Sequence, residues 1–274
     1  MKQKVIKILN FEVSNNYPFF LIAGPCSIES KEHAIHHAGI IDEISKKLAI
    51  NFVYKSSFDK ANRSSKKSRR GVGINQGLEI LSAVKNTFNI PILTDVHEPF
   101  QCKEVAKIVD IIQIPAFLCR QTDLLTSAAQ TQKIINIKKG QFLAPWDMKN
   151  VLDKILDVGN KQVLLTERGT SFGYNTLVSD MRAIPQMSDL GYPIIFDATH
   201  SVQQPGGLGI TSGGQREFVP ILSRAAVSVG ISGLFLEVHE NPDKAPSDGP
   251  NMLKLSDLES LLSKLIEIDK VIKT

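Results

Sequence analysis

Short apolar runs take turns along this chain with longer stretches whose apolar residues recur every three or four positions. The runs at 19–24, 52–57, 91–96, 111–115, 134–138, 163–168, 193–200 and 233–239 read as strands. Between them, 31–48, 76–88, 100–109, 148–158, 175–187 and 215–229 carry helical spacing. A last helix at 256–272 places Leu258, Leu261, Leu262, Leu265 and Ile268 on one face, with Ser256 and Glu259 spaced as a capping box. Residues 1–17 alternate more weakly, through Val5-Ile6-Lys7-Ile8-Leu9 and Phe11-Glu12-Val13, and predict a β-hairpin ahead of the main body. Repeated strand-then-helix units with apolar strands argue for the α/β class, a parallel sheet covered by helices. Eight such units close into a (β/α)8 TIM barrel, which commonly needs about 250 residues. An open doubly wound sheet is the alternative, but no Gly-x-Gly-x-x-Gly turn follows the first strand. No linker or low-complexity segment divides the chain, so one domain over 1–274 is expected, with 1–17 as its hairpin extension.

Composition adds limits. A hydrophobic content of 42% and a charged content of 22% are those of a soluble globular protein. The net charge of +4 suits anionic small molecules and does not demand nucleic acid. The one charge block, Lys66-Lys67-Ser68-Arg69-Arg70, has no interleaved aromatics and reads as a solvated or phosphate-facing loop. Three cysteines without a CxxC pair exclude a disulfide framework and favour a reducing cytosol. The N-terminal apolar run is broken by Lys7 and is too short for a secretion signal, and no later run reaches membrane-spanning length. A cytoplasmic protein with no membrane and no nucleic-acid partner is expected.

The candidate chemistry lies where strands end. After the run at 51–54 come Lys55-Ser56-Ser57-Phe58-Asp59-Lys60-Ala61-Asn62-Arg63-Ser64-Ser65, which gathers two lysines, an arginine, an asparagine and several hydroxyls in one loop. Ammonium, guanidinium and hydroxyl donors of this kind can hold a dianion, although a solvated basic turn has the same composition. Active sites of such barrels sit at the C-terminal strand ends, where side chains alternate between interior and helix layer. In the fifth strand Ile135 and Ile137 would face helices and Asn136 and Lys138 the interior. In the eighth, Leu234, Leu236 and Val238 would face out and Phe235, Glu237 and His239 in. The same alternation puts Asp95, Gln113 and Arg168 at the mouth. Lys55, Lys60, Arg63, Lys138 and Arg168 on one rim would be costly without neutralising anions, so the rim should bind more than one anionic group.

A second set comes from strands one, seven and eight: Cys26, His200, Glu237 and Asp248. Closure of the barrel would make them neighbours, and thiolate, imidazole and two carboxylates form a plausible divalent-metal site. A lone buried Cys or His is also an ordinary core residue, and the spacing leaves both readings open.

Several motifs carry a family resemblance. They are Ala23-Gly24-Pro25-Cys26-Ser27, Lys60-Ala61-Asn62-Arg63-Ser64-Ser65, Thr94-Asp95-Val96-His97-Glu98 and Gln113-Ile114-Pro115-Ala116-Phe117-Leu118-Cys119-Arg120. With them go Glu167-Arg168-Gly169, Asp197-Ala198-Thr199-His200, Gln204-Pro205-Gly206-Gly207, Ser212-Gly213-Gly214 and Ser247-Asp248-Gly249-Pro250. In this order, from about residue 19 to the end, the chain resembles the 3-deoxy-D-manno-octulosonate 8-phosphate synthases. The resemblance implies a homotetrameric barrel that joins phosphoenolpyruvate to arabinose 5-phosphate for lipopolysaccharide synthesis. Cysteine rather than asparagine at position 26 implies the metal-dependent subtype, with Cys26, His200, Glu237 and Asp248 as ligands; the mixed donors admit zinc, iron, manganese or cadmium. By the same match Lys55, Lys60, Gln113, Lys138 and Arg168 surround phosphoenolpyruvate, and Asn62, Arg63 and Ser64 hold the pentose phosphate. Arg120 reaches that phosphate from a neighbouring subunit, while Ser57 and Asp95 complete the substrate-binding set. Lys60 is expected to steady the developing alkoxide, with His200 and Asp248 as further catalytic candidates.

The nearest rival is the related 3-deoxy-D-arabino-heptulosonate 7-phosphate synthase, which takes erythrose 4-phosphate. Similar members of that group have Lys-Pro-Arg-Thr where this chain has Lys60-Ala61-Asn62-Arg63-Ser64, and Asn62 can hydrogen-bond a sugar hydroxyl where proline cannot. A non-catalytic anion or nucleic-acid binder using Lys66–Arg70 is the reading from another class; it leaves the inward Gln113 and Glu237 without a purpose.

Overall fold

The computed structural model describes residues 3–63, 69–207 and 213–273. Its eight parallel strands are β1 (Phe20–Gly24), β2 (Phe52–Lys55), β3 (Ile92–Asp95), β4 (Ile111–Ile114), β5 (Ile134–Lys138), β6 (Val163–Glu167), β7 (Ile194–Asp197) and β8 (Gly233–His239). Each pairs with the next, and β8 pairs with both β7 and β1, so the sheet closes. The helices that follow the strands are α1 (Lys31–Lys47), α2 (Ile74–Phe88), α3 (Gln101–Val105), α4 (Thr122–Gln130), α5 (Met148–Leu156), α6 (Ala183–Ser188), α7 (Val219–Val229) and α8 (Leu258–Ile272). None of the described helices is long and apolar enough to cross a membrane.

Strand alternation sorts the core into two layers. Leu21, Tyr54, Ile112, Ile135, Ile137, Leu234 and Leu236 point outward and pack under the helices. Ile22, Val53, Leu93, Ile111, Ile134, Leu164, Ile195 and Phe235 point inward, and the predicted hairpin (Ile6–Ile8 paired with Phe11–Val13) adds Ile6, Ile8 and Val13 to them. The hairpin therefore plugs the N-terminal end of the barrel. Each fully buried aliphatic side chain contributes about 1.5–3 kcal/mol, which makes the lower barrel a rigid floor. Above that floor the inward positions turn polar: Asn136 donates to Gln113 (3.1 Å) and Thr166 donates to Asn136 (2.7 Å).

Several boundaries differ from the pattern reading. β7 ends at Asp197, and His200 opens a separate turn of 3-10 helix, His200–Val202. The start of the stretch read as a helix over 175–187 instead belongs to a small hairpin, Thr170–Ser171 with Leu177–Val178, turned at positive-φ Gly173 and Asn175; the helix begins only at Ala183 and runs to Ser188. α3 spans far less than 100–109, and α4, with its Leu124, Leu125, Ala128 and Ala129 stripe, was absent from that reading. The predicted capping box at Ser256 does not form. Asp257 holds the cap position of α8 with no side-chain cap bond, and Ser256 donates to Asp257 instead (3.2 Å). Leu258, Leu261, Leu262 and Leu265 are buried as the pattern required.

Candidate active site

The C-terminal strand ends surround a cavity of about 670 Å³, lined among others by Lys55, Lys60, Asn62, Arg63, Asp95 and Gln113 and by Lys138, Arg168, His200 and Asp248. The five expected rim cations, Lys55, Lys60, Arg63, Lys138 and Arg168, thus converge, but the protein itself neutralises part of their charge. Lys55, at the end of β2, donates to Glu237 of β8 (2.9 Å) and to the Cys26 carbonyl (3.3 Å). Lys60 lies 3.8 Å from the same carboxylate. Burial alone would raise the Glu237 pKa, yet Lys55, with His200, Lys60 and Lys138, outweighs it and holds the group well below the usual carboxylate range. Lys138 pairs with buried Asp197 and sits 3.6 Å from the Phe235 ring centroid, a cation–π contact on the apolar floor.

The two arginines differ from the lysines. Among the described residues, both pair with neutral groups. Arg63 donates to the Ser247 hydroxyl (2.6 Å) and the Pro246 carbonyl (2.9 Å). Arg168 donates one Nη2 bond to Gln203 (3.0 Å), while its Nη1 is buried without a partner. These are the groups whose charge is left for an anionic ligand, from opposite sides of one cavity.

Closure of β8 onto β1 brings three of the four expected metal ligands, Cys26, Glu237 and Asp248, into one cluster, and His200 approaches it on the Glu237 side. Donor atoms of Cys26, Glu237 and Asp248 all lie within 4.8 Å of one another. Cys26 Sγ donates to Asp248 Oδ2 at 3.2 Å, and His200 Nε2 is 3.6 Å from Glu237 Oε2. Tetrahedral bonds of about 2.0–2.3 Å put donor atoms about 3.3–3.8 Å apart, a spacing that the Cys26–Asp248 and His200–Glu237 pairs approach, so the donor chemistry and these two spacings suit a divalent ion. His200 is oriented from behind: Asp197 Oδ2 accepts from its Nδ1 (2.8 Å), and Asp197 Oδ1 accepts from its backbone N–H (2.9 Å). That tautomer leaves the Nε2 lone pair facing Glu237. Burial, then the Glu237 and Asp248 charges, pushes the Cys26 thiol well above its ordinary pKa, a shift that a bound cation reverses.

Other expected residues fall differently. Ser57 is buried and donates to Asp95, whose other oxygen faces His97 Nε2 at 3.0 Å, so Ser57 supports Asp95 from outside the cavity lining. Asn62 is exposed on the cavity rim. Arg120 is exposed and outside this chain's own cavity. Ser64 and the basic positions 66–68 lie outside the described residues, as does Ser212. Arg70 of that basic run grips Asp59 with two bonds (2.8 and 2.5 Å) and closes the base of the loop. His239, expected inside the barrel, instead donates to Glu29 (2.9 Å) beside His33 of α1, because β8 outruns the barrel wall there. The residues the sequence reading left without a role are Asp197, Ser247, His97 and Gln203; the first three lie in the motifs quoted for the resemblance, and Gln203 carried no signal.

Comparison with known proteins agrees with this geometry. The DAHP synthetase I family matches residues 5–274. A protein of Brucella anthropi named 2-dehydro-3-deoxyphosphooctonate aldolase is 60% identical over 268 residues, 98% of this chain and 97% of its own. One of the same name from Rickettsia bellii is 60% identical over 271 residues, 99% of both chains. The matched span takes in every strand of the barrel and every residue of the cavity, and the chain belongs to the DAHP synthetase I family.

Proposed function

We propose that the chain condenses phosphoenolpyruvate with arabinose 5-phosphate and water, giving 3-deoxy-D-manno-octulosonate 8-phosphate and inorganic phosphate, as a cytoplasmic step of lipopolysaccharide synthesis. The observation that carries it is the pair Arg63 and Arg168: two guanidiniums with neutral partners, facing one cavity, suit two phosphorylated reactants held against each other. The relatives' name supports the same reaction.

Arg168 and Lys138, with Gln113, hold phosphoenolpyruvate at the end of the barrel nearer β4–β6. Asn62 and Arg63, with Ser64, take the sugar and its phosphate on the β2–α2 loop. Fixing two anions in contact supplies much of the rate, because the encounter becomes intramolecular. C3 of the enol attacks the aldehyde carbon, and the aldehyde oxygen gains charge and takes a proton. Lys60, beside Glu237 at the cavity edge, stabilises that developing alkoxide. Water adds at C2 and loses its proton; the C2–O bond to phosphate then breaks as the ketone forms. His200 and Asp248, both on the cavity wall, are placed to move these protons. Cys26, His200, Glu237 and Asp248 would hold a divalent ion, which would supply Lewis acidity toward the aldehyde or water when bound. Arg120, exposed beside exposed Phe117, supports a homotetramer in which it serves a neighbouring cavity.

The test is phosphate release from phosphoenolpyruvate with each aldehyde offered separately. Turnover with arabinose 5-phosphate well above that with erythrose 4-phosphate is expected, since Asn62 offers an amide to the longer sugar's hydroxyls. The reverse preference assigns the chain to heptulosonate synthesis.

A further inference from the structure

We infer that Gln203 is a positioning residue that couples the phosphoenolpyruvate end of the cavity to the Cys26–His200–Glu237–Asp248 end. This rests on the functional reading above. Gln203 follows the His200–Val202 turn and opens a two-residue strand paired with Gly213–Gly214. Its side-chain oxygen accepts from Arg168 Nη2 (3.0 Å), and its side-chain nitrogen donates to Asp248 Oδ1 (2.8 Å). One planar amide therefore fixes a guanidinium and a carboxylate together.

A carboxylate in this place would repel Asp248, an aliphatic group would strand a donor and an acceptor, and asparagine is a methylene too short. The two clients are both incompletely held otherwise. Arg168 Nη1 is buried without a partner. Asp248 has a left-handed backbone, φ 53°, unfavourable for a non-glycine residue, and its Oδ2 takes the Ser247 hydroxyl (2.9 Å) and the Cys26 thiol (3.2 Å). Turning the amide to follow Arg168 turns the Asp248 carboxylate relative to Cys26, and the reverse. Occupancy at either end then biases the other by the same factor.

Calorimetric titration of phosphoenolpyruvate into the full chain, metal-stripped and Co(II)-loaded, tests this. The wild type should show phosphoenolpyruvate dissociation constants differing by about tenfold between the two forms. Gln203→Leu should bring that ratio to within about twofold. Gln203→Glu, which keeps the length and pairs Arg168 with a charge, should weaken phosphoenolpyruvate in both forms by about tenfold or more. A wild-type ratio near one, or a ratio unchanged in folded Gln203→Leu, overturns the coupling while leaving the reaction assignment standing. Absence of phosphoenolpyruvate binding by the wild type overturns the functional reading and the coupling with it.

Discussion

Lys55 and Glu237 form a buried ion pair of 2.9 Å although their strands, β2 and β8, are separated by β1. The contact crosses β1 at Gly24, which pairs in register with Glu237. A Cβ on Gly24 would lie 2.0 Å from the Lys55 carbonyl oxygen, so only glycine lets the two wall strands approach this closely. One glycine thus allows an ion pair to span three strands and holds the Glu237 carboxylate in place.

Removing one partner of a buried pair costs about 3–5 kcal/mol when nothing else compensates the remaining charge, but Lys60 lies 3.8 Å from Glu237. Lys55→Met is therefore expected to destabilise the metal-stripped protein by less than that amount in urea unfolding. A double change, Lys55→Met with Glu237→Met, should recover most of that loss while remaining inactive, because the paired charge is gone with its partner. A double variant as unstable as Lys55→Met alone would show that the pair is not the cause.

Among the described residues Arg63 makes two bonds to neutral groups, and a substrate phosphate is the better partner for it. Charge-assisted bonds of this kind are worth about 1.5–3 kcal/mol, so Arg63→Ala should raise KM for arabinose 5-phosphate by about 10–100-fold. Phosphoenolpyruvate affinity should change little. Arg63→Lys should restore only part of the loss, since the planar fork is absent. Steady-state kinetics with each substrate varied in turn reads both quantities.

The barrel was legible because its evidence is local and repeated. Ile135 and Ile137 against Asn136 and Lys138 give the strand facing from four consecutive residues, and the structure reproduces it. The same alternation failed at His239, where β8 continues past the wall and the histidine joins Glu29. The helix expected over 175–187 failed for a different reason: the turn at Gly173 and Asn175 depends on left-handed backbone that hydrophobic spacing does not report. Gln203 carried no signal, and Ser247 lay in a quoted motif without a role, because their importance lies in what they touch, across 35 residues to Arg168 in one case and 184 to Arg63 in the other.

His37 gives an acid dependence remote from the cavity. It is buried, donates from Nδ1 to the His33 carbonyl (3.0 Å) and accepts the Glu240 N–H at Nε2 (3.4 Å). The rings of His33, His36 and His239 surround it. Burial, then the charge of His33, lowers its pKa to about 4. The unfolded chain, with a histidine pKa of about 6.5, binds this proton first, so stability is complete above that pH and falls as pH drops toward the folded value. The loss amounts to about 2–3 kcal/mol. Urea unfolding at pH 7.5 and pH 4.5 should show a smaller difference for His37→Leu than for the wild type, and an equal difference would place the acid sensitivity elsewhere.

The most direct measurement is turnover after chelation and add-back, run on the wild type and on Cys26→Asn. The wild type should lose phosphate release on stripping and regain it with added Zn(II), Mn(II), Fe(II) or Cd(II), with one equivalent of metal retained per chain. Cys26→Asn should retain less metal at the same free concentration, because the soft sulfur donor is gone. Full wild-type activity with no bound metal would mean that Cys26, His200, Glu237 and Asp248 are neighbours without being a working metal centre.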